Sequence, residues 1–370
     1  MSAAQGSKVN KEKGKKSSRS RRVREERADA FRRGVSAVLG LVLVLIFGFV
    51  LYVTWVFLDR PGFPKQPTGR STQCLELYFY DTAVTYLVPV HRNVTLPRNE
   101  NCTARAVQEF AAGPRDPRLA RVYPSVAAPT VTVRDKVAIL DLPQEIFSRL
   151  GGTTRERALL DALTLTVAAA GECSSARILI GGQPVGTTPE GYDLSGPLLP
   201  PPFYNLVPDT SLKGDSQWVT SYFLDSTGNY MVPLSIEVDS GLEGPREAVA
   251  RLFRNPPQLS YPPPLPVCPP GYSLEPLRIE NGVATVDISV PDTSLAFLDF
   301  DINVLRTALL LTLRDCCQVR DIALKLNGRD LESYNRFGEL APLPQNDCWN
   351  LERVMEQTAP SDASAAEVDL

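Results

Sequence analysis

The side chains able to do chemistry are few in this 370-residue chain. Histidine occurs once, as His91 in VPVHRNV at the end of a predicted strand. A serine or cysteine nucleophile activated by imidazole would have to use that ring. The internal repeat described below puts Ser235 or its neighbours at the matching place, so His91 is not part of the repeated pattern and reads as a surface-loop residue. Asp141 and Asp287 do correspond between the repeats, and a pair of carboxylates is a general acid–base device. Each falls in a separate domain, however, at a strand end where aspartate commonly caps a turn. Gly181-Gly182 follows a strand but opens no helix and has no third glycine, so it is a turn and not a phosphate cradle. No enzyme, no cofactor and no metal site are expected.

Seven cysteines, Cys74, Cys102, Cys173, Cys268, Cys316, Cys317 and Cys348, all follow the apolar run described next. An oxidising compartment permits disulfides, and an odd number leaves at least one thiol free or intermolecular. Adjacent Cys316 and Cys317 cannot easily pair with each other. Buried thiols or one or two bridges are one reading. Metal binding is the sharper one, yet no C-x-x-C or Cys/His spacing supports it. Asn93-Val94-Thr95 and Asn101-Cys102-Thr103 match the glycosylation acceptor pattern, which a bacterial origin would leave idle.

The net charge of -3 is unevenly spread. Residues 1–33 hold twelve Lys/Arg against four acids, a balance of +8 that leaves -11 for the rest. Such a tail could bind nucleic acid, but it abuts Val35 to Leu58, 24 residues without a charge. At 1.5 Å per residue that run spans about 36 Å, enough for a hydrocarbon core of about 30 Å. Tyr52 and Trp55 near its far end suit the interface, and the basic flank places the N-terminus in the cytoplasm. No A-x-A-like cleavage site or lipid-attachment cysteine follows. The expectation is a single-pass anchor of the cell membrane at 34–58 after a basic cytoplasmic tail, with the bulk extracytoplasmic and no nucleic-acid partner. Asp59 to Gln73, with Pro61, Pro64 and Pro67, reads as a stalk.

The elements that would position any site occur twice. Val131 and Val133, the run VAILDL at Val137 to Leu142, the helical block Ala158 to Val167 and Gly182 recur 146 residues later. Their counterparts are Leu277 and Ile279, VATVDI at Val283 to Ile288, Val304 to Leu313, and Gly328. The strand CLELYFYD (Cys74 to Asp81) and its partner TYLVPV (Thr85 to Val90) return at offset 144 as WVTSYFLD and YMVPLSIEV. The short helix Thr103 to Ala112 returns at offset 142, after Gly244-Pro245. The offset changes in loops, where insertions cost little, which marks a duplication. Thr153-Thr154-Arg155-Glu156 predicts a capping box, and Asn281-Gly282 a hairpin. The fold class is α+β: each copy, 74–190 and 217–333, reads strand–strand–helix–strand–strand–helix–strand, one small sheet under two helices. Between them, 191–216 is a stiff Pro-rich linker. Residues 334–370 form a tail whose small, acidic end reads as disordered.

On these blocks the chain resembles the GerM family, built from tandem GerMN domains. The residues that carry the resemblance are LYFYD…YLVPV and SYFLD…YMVPL, AVQEF and AVARLF, VAILDL and NGVATVDIS, and ALLDALTLTV and VLRTALLLTL leading into ARILIGG and IALKLNG. CPPGYSLEPLRIENGVATVDIS, Cys268 to Ser289, is the most family-like segment. The resemblance covers about 75–330. It implies a part in sporulation or spore germination, within a complex that spans the envelope between mother cell and forespore, and a unit similar to the ring-building folds of secretion systems. Members are often lipoproteins, whereas this chain carries a helical anchor.

Two functions follow from the reading. One is a structural or assembly protein that docks envelope partners through sheet edges and helix faces, with oligomers among its states. The other is an envelope binding module that senses a germinant or cell-wall fragment at the cleft between the domains. Phe203, Tyr204, Trp218 and Tyr222 are the candidate lining of that cleft or, as core aromatics, of the interdomain contact.

Overall fold

The alternating aromatic run near Cys74 folds as one arm of a long hairpin. The computed structural model describes residues 70–97, 100–258, 262–290, 301–334, 340–344 and 348–352. These fall in one compact unit, residues 69–370. The basic tail, the anchor and the stalk as far as residue 69 lie outside the described residues. Among the described residues no helix is long and apolar enough to cross a membrane.

In the first copy β1 (Arg70–Asp81) pairs antiparallel with β2 (Leu87–Pro97), and β3 (Leu119–Ala120) adds to the end of β1. The strand thus begins at Arg70, inside the segment expected as stalk, because Arg70 to Gln73 find ladder partners on β2. Helix α1 (Cys102–Ala112) follows, capped by Asn101, whose side chain accepts from the Ala104 N–H. Then come β4 (Thr130–Arg134), β5 (Val137–Leu142), the short α2 (Ile146–Leu150), α3 (Thr153–Ala169), β6 (Ser175–Ile180) and β7 (Gln183–Pro184).

The second copy repeats this order. It has β9 (Ser216–Leu224), β10 (Met231–Asp239), α4 (Gly244–Arg251), β11 (Ser273–Leu274), β12 (Arg278–Glu280), β13 (Val283–Ser289), α5 (Ile302–Cys317), β14 (Asp321–Leu326) and β15 (Arg329–Asp330). Proline opens α4 and Asp301 caps α5 by accepting from the Asn303 N–H. Linker residues supply β8 (Leu206–Val207), which pairs with β10.

Each copy holds two sheets where the sequence suggests one. The β1–β2 hairpin makes no ladder to the β4–β5–β6–β7 sheet, and β9–β10 makes none to β11–β13–β14–β15. Periodicity identifies strands but not their partners, and here the long helix contacts both sheets of its copy. Strands β5 and β6 are parallel, as are β13 and β14, so α3 and α5 are crossover helices. The two-residue turns before β5 and β13 have positive φ at both positions, 51° and 61° at Asp135-Lys136 and 54° and 79° at Asn281-Gly282. That geometry matches the twist of a tight hairpin.

A threonine joins helix to hairpin in both copies. The Thr166 hydroxyl accepts from the Tyr78 N–H at 3.2 Å, and the Thr312 hydroxyl from the Tyr222 N–H at 3.2 Å. These amides point away from β2 and β10, so the helix satisfies a strand edge that no strand covers. The capping box does not form. Thr153 lies inside α3, after Gly152, and its hydroxyl bonds Glu190 Oε2, while the Glu156 carboxylate accepts from the Glu190 N–H. The loop 186–194 takes both side chains.

Candidate site at the junction of the two copies

The copies meet along the outer edges of β2 and β10, and the segment leaving each copy crosses to the other. The linker runs beside β10, where the Asn205 carbonyl accepts from Ser235 N–H and Leu206–Val207 continue in parallel. The tail runs beside β2, where the Asn350 carbonyl accepts from His91 N–H and Glu352 N–H donates to the His91 carbonyl. Asn205 Oδ1 accepts from Leu87 N–H at 2.7 Å, and its Nδ2 donates to the Leu87 and Pro233 carbonyls, each at 2.8 Å. Asn350 Oδ1 accepts from Met231 N–H at 2.9 Å, and its Nδ2 donates to the Met231 and Pro89 carbonyls. Leu87 and Met231 are equivalent at offset 144, as are Pro89 and Pro233. Two edges interrupted by proline are thereby sealed by side-chain amides.

The correspondence continues around the asparagines. Tyr204 meets Tyr78 edge-on at 5.6 Å, and Trp349 meets Tyr222 edge-on at 5.6 Å. Where the first copy has the disulfide Cys74–Cys348, the second has Phe203 against Trp218, ring centres 6.3 Å apart. Tyr86 reaches across to Ser226, whose backbone N–H donates to its hydroxyl at 3.2 Å. Tyr230 reaches back to donate to the buried Asp116 at 2.7 Å. The tail is therefore part of the fold through Cys348 to Glu352, which composition did not reveal. The Glu352 carboxylate pairs with the buried Arg92, which also holds Glu109. Burial pushes the Glu109 carboxyl up, but the bonds and charges of Arg92, with Arg105 and Arg115, outweigh that and hold it below its ordinary range. The legible signal was the aromatic–Asn pair, Tyr204-Asn205 and Trp349-Asn350, at offset 145.

His91 is not on the surface. It is 1% exposed, inside β2, because the tail covers this edge. Nδ1 accepts from the Asn350 N–H at 3.2 Å, the ring lies 4.9 Å from that of Trp349, and Glu76 Oε2 is 3.8 Å from Nε2, beyond hydrogen-bond reach. Burial and the nearby Arg314 charge lower its pKa to about 4. Asp141 and Asp287 accept from Gly182 and Gly328 N–H, holding the same turn in each copy. Cys102, Cys173, Cys268, Cys316 and Cys317 are thiols, and the sulfurs of Cys316 and Cys317 lie 2.8 Å apart. Among the described residues no group of three His, Cys, Asp or Glu could hold a metal.

The structure brings Phe203, Tyr204, Trp218 and Tyr222 together in one cavity of about 470 Å³. It is not a cleft between the domains. It lies within the second copy, between β9, α4 and α5, with the linker along one side. Tyr222 is buried, Tyr204 and Trp218 are half-buried, and Phe203 is 38% exposed. The polar lining includes Thr220, Ser235 and Asp315. Asp315 Oδ2 accepts from the Tyr222 hydroxyl at 2.8 Å. Although the residue is exposed, desolvation of its carboxyl by the surrounding atoms pushes the pKa up, against the lowering effects of the Tyr222 bond and the Arg314 charge.

This is the architecture of a tandem GerMN protein. Residues 76–186 match the family described as Germane, sporulation and spore germination. The tandem GerMN domains of the sporulation protein GerM from Bacillus subtilis superpose with a TM-score of 0.58 at 21% identity, over 76% of this chain and all of that one. The family match thus covers the first copy, and the likeness to the tandem structure is one of fold. The first GerMN domain of the same protein (TM-score 0.29, 22% identity, 35% of this chain and 98% of that one) and a putative lipoprotein from Clostridium perfringens (0.25, 22%, 35% and 88%) are also similar, and at those scores add nothing to the assignment. No curated protein matches.

Proposed function

We propose that this chain is a membrane-anchored, extracytoplasmic assembly protein of sporulation or spore germination, which docks envelope partner proteins through its GerMN copies. The observation that carries the reading is the double exchange of linker and tail, which makes two family domains one block. Such a block suits a scaffold, since little ordering entropy remains to be lost on docking. The apolar run Val35 to Leu58 supplies the anchor in this reading. The side chains that sequence offers for catalysis have structural tasks: His91 is buried with Nδ1 bonded, and Asp141 and Asp287 hold turns. We therefore read the protein as non-catalytic.

Fluorescence localisation of a tagged copy through sporulation, beside a deletion strain, tests the proposal. Enrichment at the engulfing septal membrane, with fewer heat-resistant spores on deletion, is expected. A uniform envelope signal with normal spore yield would overturn it. A second reading, recognition of a small molecule, is favoured by one observation, the aromatic cavity in the second copy.

A further inference from the structure

The cavity exists in only one chemical form, although the site was duplicated. Thr312 and Tyr222 match Thr166 and Tyr78, but other positions diverge. Ser235 stands where the first copy has His91. Phe203 and Trp218 stand where it has the Cys74–Cys348 bridge. Asp315 and Cys316 stand where it has Ala169 and Ala170. In the first copy the imidazole, packed on Trp349, fills space that a serine leaves open. The second copy thus carries two aromatic side chains where the first has a disulfide, and a carboxylate where the first has an alanine.

The sign of the charge is specific. Asp315 lies in the last turn of α5, where the backbone carbonyls already present partial negative charge and an acid is disfavoured. Among the described residues no lysine, arginine or histidine lines the cavity, and Asp315 is the one carboxylate there. Neighbouring Arg314 is turned onto the Trp349 ring, 6.0 Å from its centre. Tyr222 already spends its hydroxyl proton on Asp315, and the Tyr204 ring is held edge-on to Tyr78. What the cavity offers a ligand is aromatic face, hydroxyl oxygen and negative charge. Aromatic faces beside a carboxylate attract organic cations through the ring quadrupole as well as by charge. About 470 Å³ is within the common range for small-molecule sites.

We propose that this cavity binds a small organic ammonium ion, its cationic head against Asp315 and its alkyl body against Trp218 and Tyr204. The inference rests on the small-molecule reading above and is independent of the scaffold reading.

The test is calorimetric titration of the full chain, in non-ionic detergent, with choline and with its neutral isostere 3,3-dimethylbutan-1-ol. Choline is expected to saturate the site, with the alcohol weaker by about tenfold or more, the loss of a charge-assisted contact. Asp315→Asn, which keeps an acceptor for Tyr222, is expected to weaken choline about tenfold and leave the alcohol unchanged. Ser235→His, copying the first repeat, is expected to abolish both. Equal binding of the two probes, or choline binding unchanged in Asp315→Asn, would overturn the ammonium assignment while leaving a small-molecule site in place. Failure of both probes to bind would overturn the assignment and the small-molecule reading together.

Discussion

Asn205 and Asn350 make the same three hydrogen bonds on equivalent strands, each bridging the edge of one copy to the edge of the other. The chain thus carries an approximate internal two-fold axis between β2 and β10. Proline at 89 and 233 removes an N–H from each edge, so continuous strand pairing is unavailable there and a side-chain amide takes its place.

Replacing either asparagine should be costly. Asn350→Ala leaves the Met231 N–H without its acceptor and two buried carbonyls without a donor. Three stranded groups at about 1 kcal/mol or more each make a loss of at least roughly 3 kcal/mol the expectation from the urea midpoint. Asn350→Asp keeps Oδ1 but loses the donor and should be comparably unstable. An effect under 0.5 kcal/mol would mean that the bridges do not hold the copies together.

The disulfide fixes the exchanged tail. Cys74 and Cys348 are 274 residues apart, so the bridge closes nearly the whole described fold. Paired Cys74→Ser and Cys348→Ser should lower stability by about 2–5 kcal/mol. Limited proteolysis should then cut near Cys348 while the second copy's core resists, because that core does not use the bridge. Simultaneous loss of both copies would show that the tail is needed for the whole block.

Acidity should act through His91. Its folded pKa, about 4, lies below the unfolded value of about 6.5, so the unfolded state takes up the proton first as pH falls. Stability from this group is complete above about pH 6.5 and declines down to about pH 4, by about 2 kcal/mol at pH 5. Glu109 also loses its contribution on acidification, below the ordinary carboxylate range. His91→Ser, the residue of the second copy, should flatten the denaturation midpoint between pH 7 and 5. An equally steep profile in that variant would assign the effect elsewhere.

The two threonine bonds offer an internal control. Thr166→Val and Thr312→Val each leave a buried strand N–H unpaired, at a cost of about 1–2 kcal/mol by the same measurement. Similar losses would show that the duplicated helix–hairpin joint has kept its role in both copies. A neutral change in Thr312→Val would mean that the cavity beside it admits water to the Tyr222 amide.

Much of the fold was written locally. The offsets of 146, 144 and 142, the Asn281-Gly282 hairpin, the proline that opens α4 and the aspartates at strand ends depend on contacts within a few residues or on period, and both are visible along a chain. Phe203, Tyr204, Trp218 and Tyr222 stand out by their nearness to the linker, but the sequence put them at a cleft between the domains and the cavity they line lies within the second copy. Pairing partners and coverage were decided only in three dimensions. The burial of His91, the split into two sheets, the release of Thr153 from its cap and the place of Asn350 all depend on residues far away in sequence. The physical reason is that a strand edge has no side-chain signature for what will cover it. His91 is buried by a tail more than 250 residues downstream, and its own sequence neighbours carry no trace of that contact.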